Sequence, residues 1–224
     1  MKNFMIERRS FLTMLGFAWW GIKPRLTYAS AQDLVMTVQG AIPSEQMGTS
    51  LIHEHVLVDF IGADRVNSNR YDVDEAFRVI LPYLRQIREL ECQTLVECTP
   101  AYIGRDPILL QRLSEASGLH ILTNTGYYGA ANDQFIPRHA YDETADQLAS
   151  RWLKEWTDGI DNTGIRPGFI KIGVDSGILS EIDSKLVYAA AITSKQSGLA
   201  IASHTGDTQA ALAQMDILQN MDVD

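Results

Sequence analysis

Two histidines one residue apart, His53 and His55, interrupt the apolar run Leu51-Ile52-His53-Glu54-His55-Val56-Leu57-Val58. Read as a strand, the run turns side chains two apart to the same face. Both imidazoles then leave it together, close enough to hold one metal ion, with Glu54 on the other face and Asp59 following. Imidazole nitrogens in apolar surroundings are costly unless something satisfies them, and a metal does so directly. Taken alone, the pair reads equally well as two ordinary hydrogen-bonded histidines. Two further residues weigh against that. Lys171 lies inside Gly168-Phe169-Ile170-Lys171-Ile172-Gly173, and His204 closes the run Ala200-Ile201-Ala202-Ser203-His204. An ammonium among strand apolars is expensive to bury. One escape is loss of the proton and reaction with carbon dioxide, giving a carbamate that can bridge two metals as a carboxylate does. A salt bridge to Glu97 or Asp175 is the better reading of Lys171 by itself; with His53, His55 and His204 beside it, the ligand reading is preferred.

The elements that must position these residues alternate. A short strand over residues 34–39 leads to a turn around Pro43, and the first main strand covers 51–58. A helix starts at Asp72, with acidic residues in its first turn. Phe77, Ile80, Leu81, Leu84, Ile87 and Leu90 carry its apolar face to about Glu91, with Pro82 expected to kink it. Strand 94–98 follows, then a helix opened by Pro107 and closed by Gly118. Strand 120–124, helix 142–157 with Leu148, Trp152 and Trp156 inward, strand 169–172, helix 184–196, strand 199–203 and a helix from 207 to 218 complete the series. Five such repeats predict a parallel sheet with helices packed outside it. A doubly wound open sheet and a (β/α)8 barrel both fit, and both put chemistry at the C-terminal ends of the strands. The Gly-x-Gly-x-x-Gly of a dinucleotide fold is absent from the sequence.

Residues 1–31 read as an export leader rather than part of the fold. Arg8-Arg9-Ser10-Phe11-Leu12, an apolar segment over 11–22 and the Ala29-Ser30-Ala31 cleavage site resemble a twin-arginine signal. The expectation is a periplasmic or secreted protein with no stable membrane anchoring. The leader carries a net charge of +4, so its removal takes the whole-chain value of −9 to −13. Such an acidic chain is a poor partner for nucleic acid. Residues 32–224 are enough for one domain with a good core. Cys92 and Cys98 fall on or beside one strand, about 20 Å apart if it is extended, too far for a disulfide. They are read as structural thiols.

Together these segments resemble the phosphotriesterase family of the amidohydrolase superfamily, from about Val38 onward. The resemblance rests on Gly48-Thr49-Ser50-Leu51-Ile52-His53-Glu54-His55, Glu97-Cys98-Thr99-Pro100 with Ile103-Gly104-Arg105-Asp106-Pro107, Thr125-Gly126-Tyr127-Tyr128, the Lys171 strand, and Ser203-His204-Thr205-Gly206. It implies a (β/α)8 TIM barrel of the metal-dependent hydrolase type, present here through about the fifth βα unit. It implies two divalent metal ions, with zinc expected and manganese, iron or cobalt as alternatives. His53 and His55 would bind the more buried ion and His204 the more exposed one. Carboxylated Lys171 would bridge them, and Tyr128 would line the substrate pocket. The family's remaining metal histidine and its catalytic aspartate have no counterpart up to residue 224. A full barrel needs about 250 residues, so the expectation is a piece of a longer protein, inactive alone. The implied reaction is hydrolysis of a lactone, carboxylic ester or phosphotriester. The expected partners are a small-molecule substrate and, at full length, a second copy of the chain. Two alternatives are a non-catalytic metal-containing binding protein and an aldolase-like enzyme using Lys171 as a Schiff-base amine.

Overall fold

The computed structural model describes residues 34–223; the leader read over 1–31 lies outside the described residues. β1 (Leu34–Thr37) pairs antiparallel with β2 (Gly40–Pro43) as a hairpin. β3 (Ser50–Glu54), α1 (Val73–Glu89), β4 (Thr94–Glu97) and α2 (Pro107–Ser117) follow. Next come β5 (His120–Leu122), β6 (Asn124–Thr125), the single turn α3 (His139–Asp142) and α4 (Ala145–Asp158). β7 (Phe169–Val174), α5 (Glu181–Ser197), β8 (Ile201–Thr205) and α6 (Thr208–Asn220) complete the series. No described helix is long and apolar enough to cross a membrane.

Local chemistry sets the helix ends. Asp72, Asp106, Thr144, Ser180 and Asp207 each accept a backbone N–H in the first turn of the helix they precede. Such a cap contributes about 1 kcal/mol. Thr144 and Gln147 form a reciprocal capping box. Gly118 and Gly198 close α2 and α5 in the left-handed conformation. α1 continues through Pro82 as one element.

The main strands are parallel throughout: β3 pairs with β4 and β4 with β5, while β6 pairs with β7 and β7 with β8. Only Thr123 separates β5 from β6, so one stretch of chain serves both sheets and bends where it changes partner. The bend curves five βα units around a concave face. Period-two alternation divides the side chains between the faces of that sheet. Leu95 and Ile121 go outward to Leu84, Leu109, Leu110 and Leu113 of α1 and α2. Ile170, Ile172 and Val174 go outward to Leu148, Trp152, Leu186 and Ala190 of α4 and α5. Val96, Leu122, Phe169 and Ala202 meet on the other face, with Cys98. Lys171 stands two residues after Phe169, and His204 two after Ala202, so the alternation gives both to the concave side.

Three readings need correction. The first main strand is shorter than 51–58: it ends at Glu54, after a register shift between Leu51 and Glu54, so His55 follows the strand instead of lying in it. The last strand begins later than residue 199, and His204 is inside β8 rather than at its end. Trp156 is only partly buried, against 1 % exposure for Trp152. Cys92 and Cys98 are free, buried thiols, as expected.

Candidate metal centre

His53, His55, Tyr128, Lys171 and His204 line one small cavity of about 70 Å³, walled also by Val58, Phe60 and Ile103. Every residue singled out from the sequence for metal binding or catalysis is therefore brought together. The His53 and His55 rings have centroids 5.4 Å apart. On the facing side, the His204 and Tyr128 rings are 5.3 Å apart. Register explains how these two meet. His204 pairs with Gly173 across β7 and β8, and Tyr128 forms an isolated parallel bridge to the same Gly173. A methyl at Gly173 would stand 2.6 Å from Cδ2 of Tyr128. The missing side chain thus leaves the space that the phenol occupies beside His204.

Lys171 is 2 % exposed. Its ammonium donates to the Ile172 carbonyl at 3.2 Å. Among the described residues it forms no ion pair, so the alternative of a bridge to Glu97 or Asp175 is not realised. Burial lowers its pKa. The pKa of His204 is lowered by burial, then by Lys171 and His53. That of His55 is lowered by burial, then by His53, Lys171 and His204. All three shifts favour nitrogen lone pairs over protons.

His55 has a support that sequence reasoning missed. Its Nδ1 lies 3.0 Å from Oγ1 of Thr99. The Thr99 hydroxyl donates its one proton to the Glu97 carboxylate, so the oxygen accepts from His55 Nδ1–H. This assigns the tautomer and leaves the lone pair on Nε2. Glu97 is held by N–H groups of Val56 and Thr99, and burial pushes its pKa up to about 7. Asn124 donates to the carbonyls of Glu97 and Thr99, fixing the backbone under this chain. Thr99 lies in the Glu97-Cys98-Thr99-Pro100 motif, but nothing in that motif points to His55, 44 residues away. His120 opens β5, and His139 bonds the Tyr127 hydroxyl at 3.0 Å. Neither lines the cavity.

The donor set fits divalent metal. Three imidazoles and an unpaired, buried lysine nitrogen suit zinc and its neighbours better than hard oxygen-seeking ions.

Parallel strands alternating with helices define an α/β barrel-type fold, and the comparisons with known proteins agree on that fold. The phosphotriesterase family model matches residues 33–224. The chain belongs to the phosphotriesterase family. It is 29 % identical over 178 residues to the phosphotriesterase homology protein of Escherichia coli, covering 79 % of this chain and 59 % of that one. To the aryldialkylphosphatase of Saccharolobus solfataricus it is 28 % identical over 186 residues, covering 82 % and 58 %. The solved organophosphorus hydrolase from Deinococcus radiodurans superposes with a TM-score of 0.76 at 28 % identity, covering 86 % of this chain and 59 % of that one. The fold is accordingly a phosphotriesterase-like (β/α)8 barrel, of which this chain holds five βα units. It spans about three fifths of the length of the relatives it matches.

Proposed function

We propose that this chain carries the greater part of the centre of a metal-dependent hydrolase, which activates water for attack on a lactone, carboxylic ester or phosphotriester. The observation that carries the reading is the meeting of His53, His55, Lys171 and His204 at one cavity, with an unpaired lysine among them. Two divalent ions there would supply Lewis acidity and a water nucleophile at neutral pH.

The chain's own residues have distinct tasks. Thr99 holds His55 by Nδ1, so that Nε2 is the ligating atom. Burial lowers the pKa of Lys171, which makes loss of its proton easier; the neutral Nζ would then add carbon dioxide with release of one proton. The resulting carbamate would offer two oxygens and a negative charge to divalent cations. Tyr128 keeps a neutral phenol, because burial and then Asp175 raise its pKa. It can therefore donate a hydrogen bond to a carbonyl or phosphoryl oxygen. Val58, Phe60 and Ile103 give the cavity apolar walls suited to an acyl or alkyl group. Export through the 1–31 leader belongs to the same reading.

The test is Lys171→Ala in the full-length protein, with metal content measured beside hydrolysis of a lactone, an aryl ester and a phosphotriester. Loss of metal and turnover, partly restored by added short-chain carboxylic acids, is the expected result. Full metal content with near-normal turnover would make Lys171 a structural residue and end the bridging assignment.

A further inference from the structure

A second cluster of titratable groups lies outside the histidine cavity. Asp133, Asp175 and Asp183 bring carboxylate oxygens within 4.8 Å of one another. The three come from different places: the loop after Tyr128, the residue after β7, and the first turn of α5. Among the described residues none of them forms an ion pair. Lys185 shares a 280 Å³ surface cavity with Asp133. Its ammonium goes instead to the carbonyls of Ala140 and Tyr141, each at 2.9 Å.

Three like charges in so small a volume repel, and acidic clusters alone are common on protein surfaces. What sets this one apart is Asp183. It is 1 % exposed, and its Oδ1 has no hydrogen-bond partner. Asp133 Oδ1 is likewise buried and unpartnered. An unsatisfied buried carboxylate oxygen costs several kcal/mol as an order of magnitude, and here two face one cluster. Asp175 is held from the other side. Its two oxygens accept the N–H groups of Ala131 and Asn132, both at 2.8 Å, and each oxygen keeps a further lone pair. Burial, then Asp183 and Asp175, push the Asp133 carboxyl up to about 6.

We propose that Asp133, Asp175 and Asp183 form a site for one hard divalent cation of the calcium class, which ties the loop following Tyr128 to the end of β7 and the start of α5. All donors are oxygen and all are formally anionic, the set that selects Ca²⁺ over the softer ions suited to imidazole. The cavity beside Asp133 gives the ion its path. Its role is structural: it fixes the loop whose first residues set Tyr128 against Gly173. It uses none of the histidine ligands, so it stands or falls apart from the proposed hydrolase chemistry.

The experiment is equilibrium dialysis of the full-length protein, stripped with EGTA, against radioactive Ca²⁺, with melting temperature measured in parallel. The wild type should bind about one Ca²⁺ per chain and melt higher with it. Asp183→Asn and Asp133→Asn should lose this binding, while His204→Asn keeps it. Melting provides a readout that also verifies folding. In EGTA, Asp183→Asn should be at least as stable as wild type, because repulsion is relieved; in Ca²⁺ the order should reverse. No uptake at millimolar Ca²⁺ would overturn the proposal and leave a carboxyl pair sharing a proton. Equal uptake by wild type and Asp183→Asn would overturn it too, by locating the ion elsewhere.

Discussion

Gly126→Ala should break the candidate centre from behind. Gly126 follows β6 with φ of +121°. A methyl added there would collide with the Lys171 carbonyl oxygen and stand 2.9 Å and 3.2 Å from the carbonyl carbon and backbone nitrogen of Lys171. Those atoms belong to β7, which is paired on both sides, by β6 and β8. They cannot rotate aside as a flexible side chain would. A backbone conformation this unfavourable for an L-residue costs roughly 1–3 kcal/mol. Forcing extra volume against fixed atoms adds about 1–3 kcal/mol. The sum, about 2–6 kcal/mol, is a large share of a typical domain stability of about 5–15 kcal/mol. Gly198→Ala is the control. Gly198 also has positive φ, +76°, but nothing lies within 4 Å of an added methyl. It should lose only the conformational term, about 1 kcal/mol. Urea unfolding followed by tryptophan fluorescence, with Trp152 buried in the outer core, measures both. Gly126→Ala should be the less stable by at least about 1 kcal/mol and should bind less metal, since relief of the collision displaces Lys171. Equal stabilities would refute the claim that this glycine is required by its close approach to the Lys171 backbone.

Two further outcomes follow from contacts around the same sheet. Thr99→Val removes the acceptor for His55 Nδ1–H, and metal affinity measured by chelator competition should fall about 10–100-fold; unchanged affinity would disprove the tautomer assignment. Glu155→Gln leaves Arg105 without the partner that it now binds through two nitrogens at 2.8 and 2.7 Å. With the Arg105 side chain 3 % exposed, the loss should be about 3 kcal/mol, and a denaturation midpoint equal to wild type would show that the pair contributes little.

Legibility in the sequence followed the range of the interaction. Several helix ends were readable because capping is a dialogue between neighbours, although the starts read at 142 and 184 lie at Ala145 and Glu181, after the caps Thr144 and Ser180. Pro107 and Gly118 bound α2 as expected, and Asp72 and Asp207 sit at the caps of α1 and α6. Strand limits were less so, because pairing with a distant segment decides them. The register shift in β3 ends that strand before His55, and β2 has none of the Asn-Gly or Asp-Gly signals that announce a hairpin. The break at Thr123 depends on which neighbour each half of the stretch meets. The candidate ligands were legible from type and position: a histidine pair, and a lysine where apolar residues belong. Thr99 and the three aspartates were not. Their relation is tertiary, across separations with no period to read.

The lysine also explains why the cluster is put together as it is. Three imidazoles around one ammonium would be mutually repulsive if all were charged. Burial lowers the pKa of Lys171, and burial together with neighbouring positive charge lowers those of His55 and His204. The two histidines then resist protonation partly because Lys171 and His53 stand beside them. Between them they hold several lone pairs, one shared cavity and few protons. A protein has little structural use for that combination. An apolar residue at 171 would pack between β6 and β8 without the expense of burying an amine, and a serine at 204 would need no partner. Keeping a lysine at a buried strand position where local packing argues for hydrocarbon is the conflict between local and global preference expected at a functional site. On the proposed reading, divalent cations would resolve it by taking nitrogen lone pairs at this cavity. On the same logic, the network below the cavity must be rigid rather than strong. Thr99 and Asn124 hold the Glu97 carboxylate and the backbone around it in one arrangement. Their work is to keep His55 Nε2 free and aimed while no ion is there to hold it.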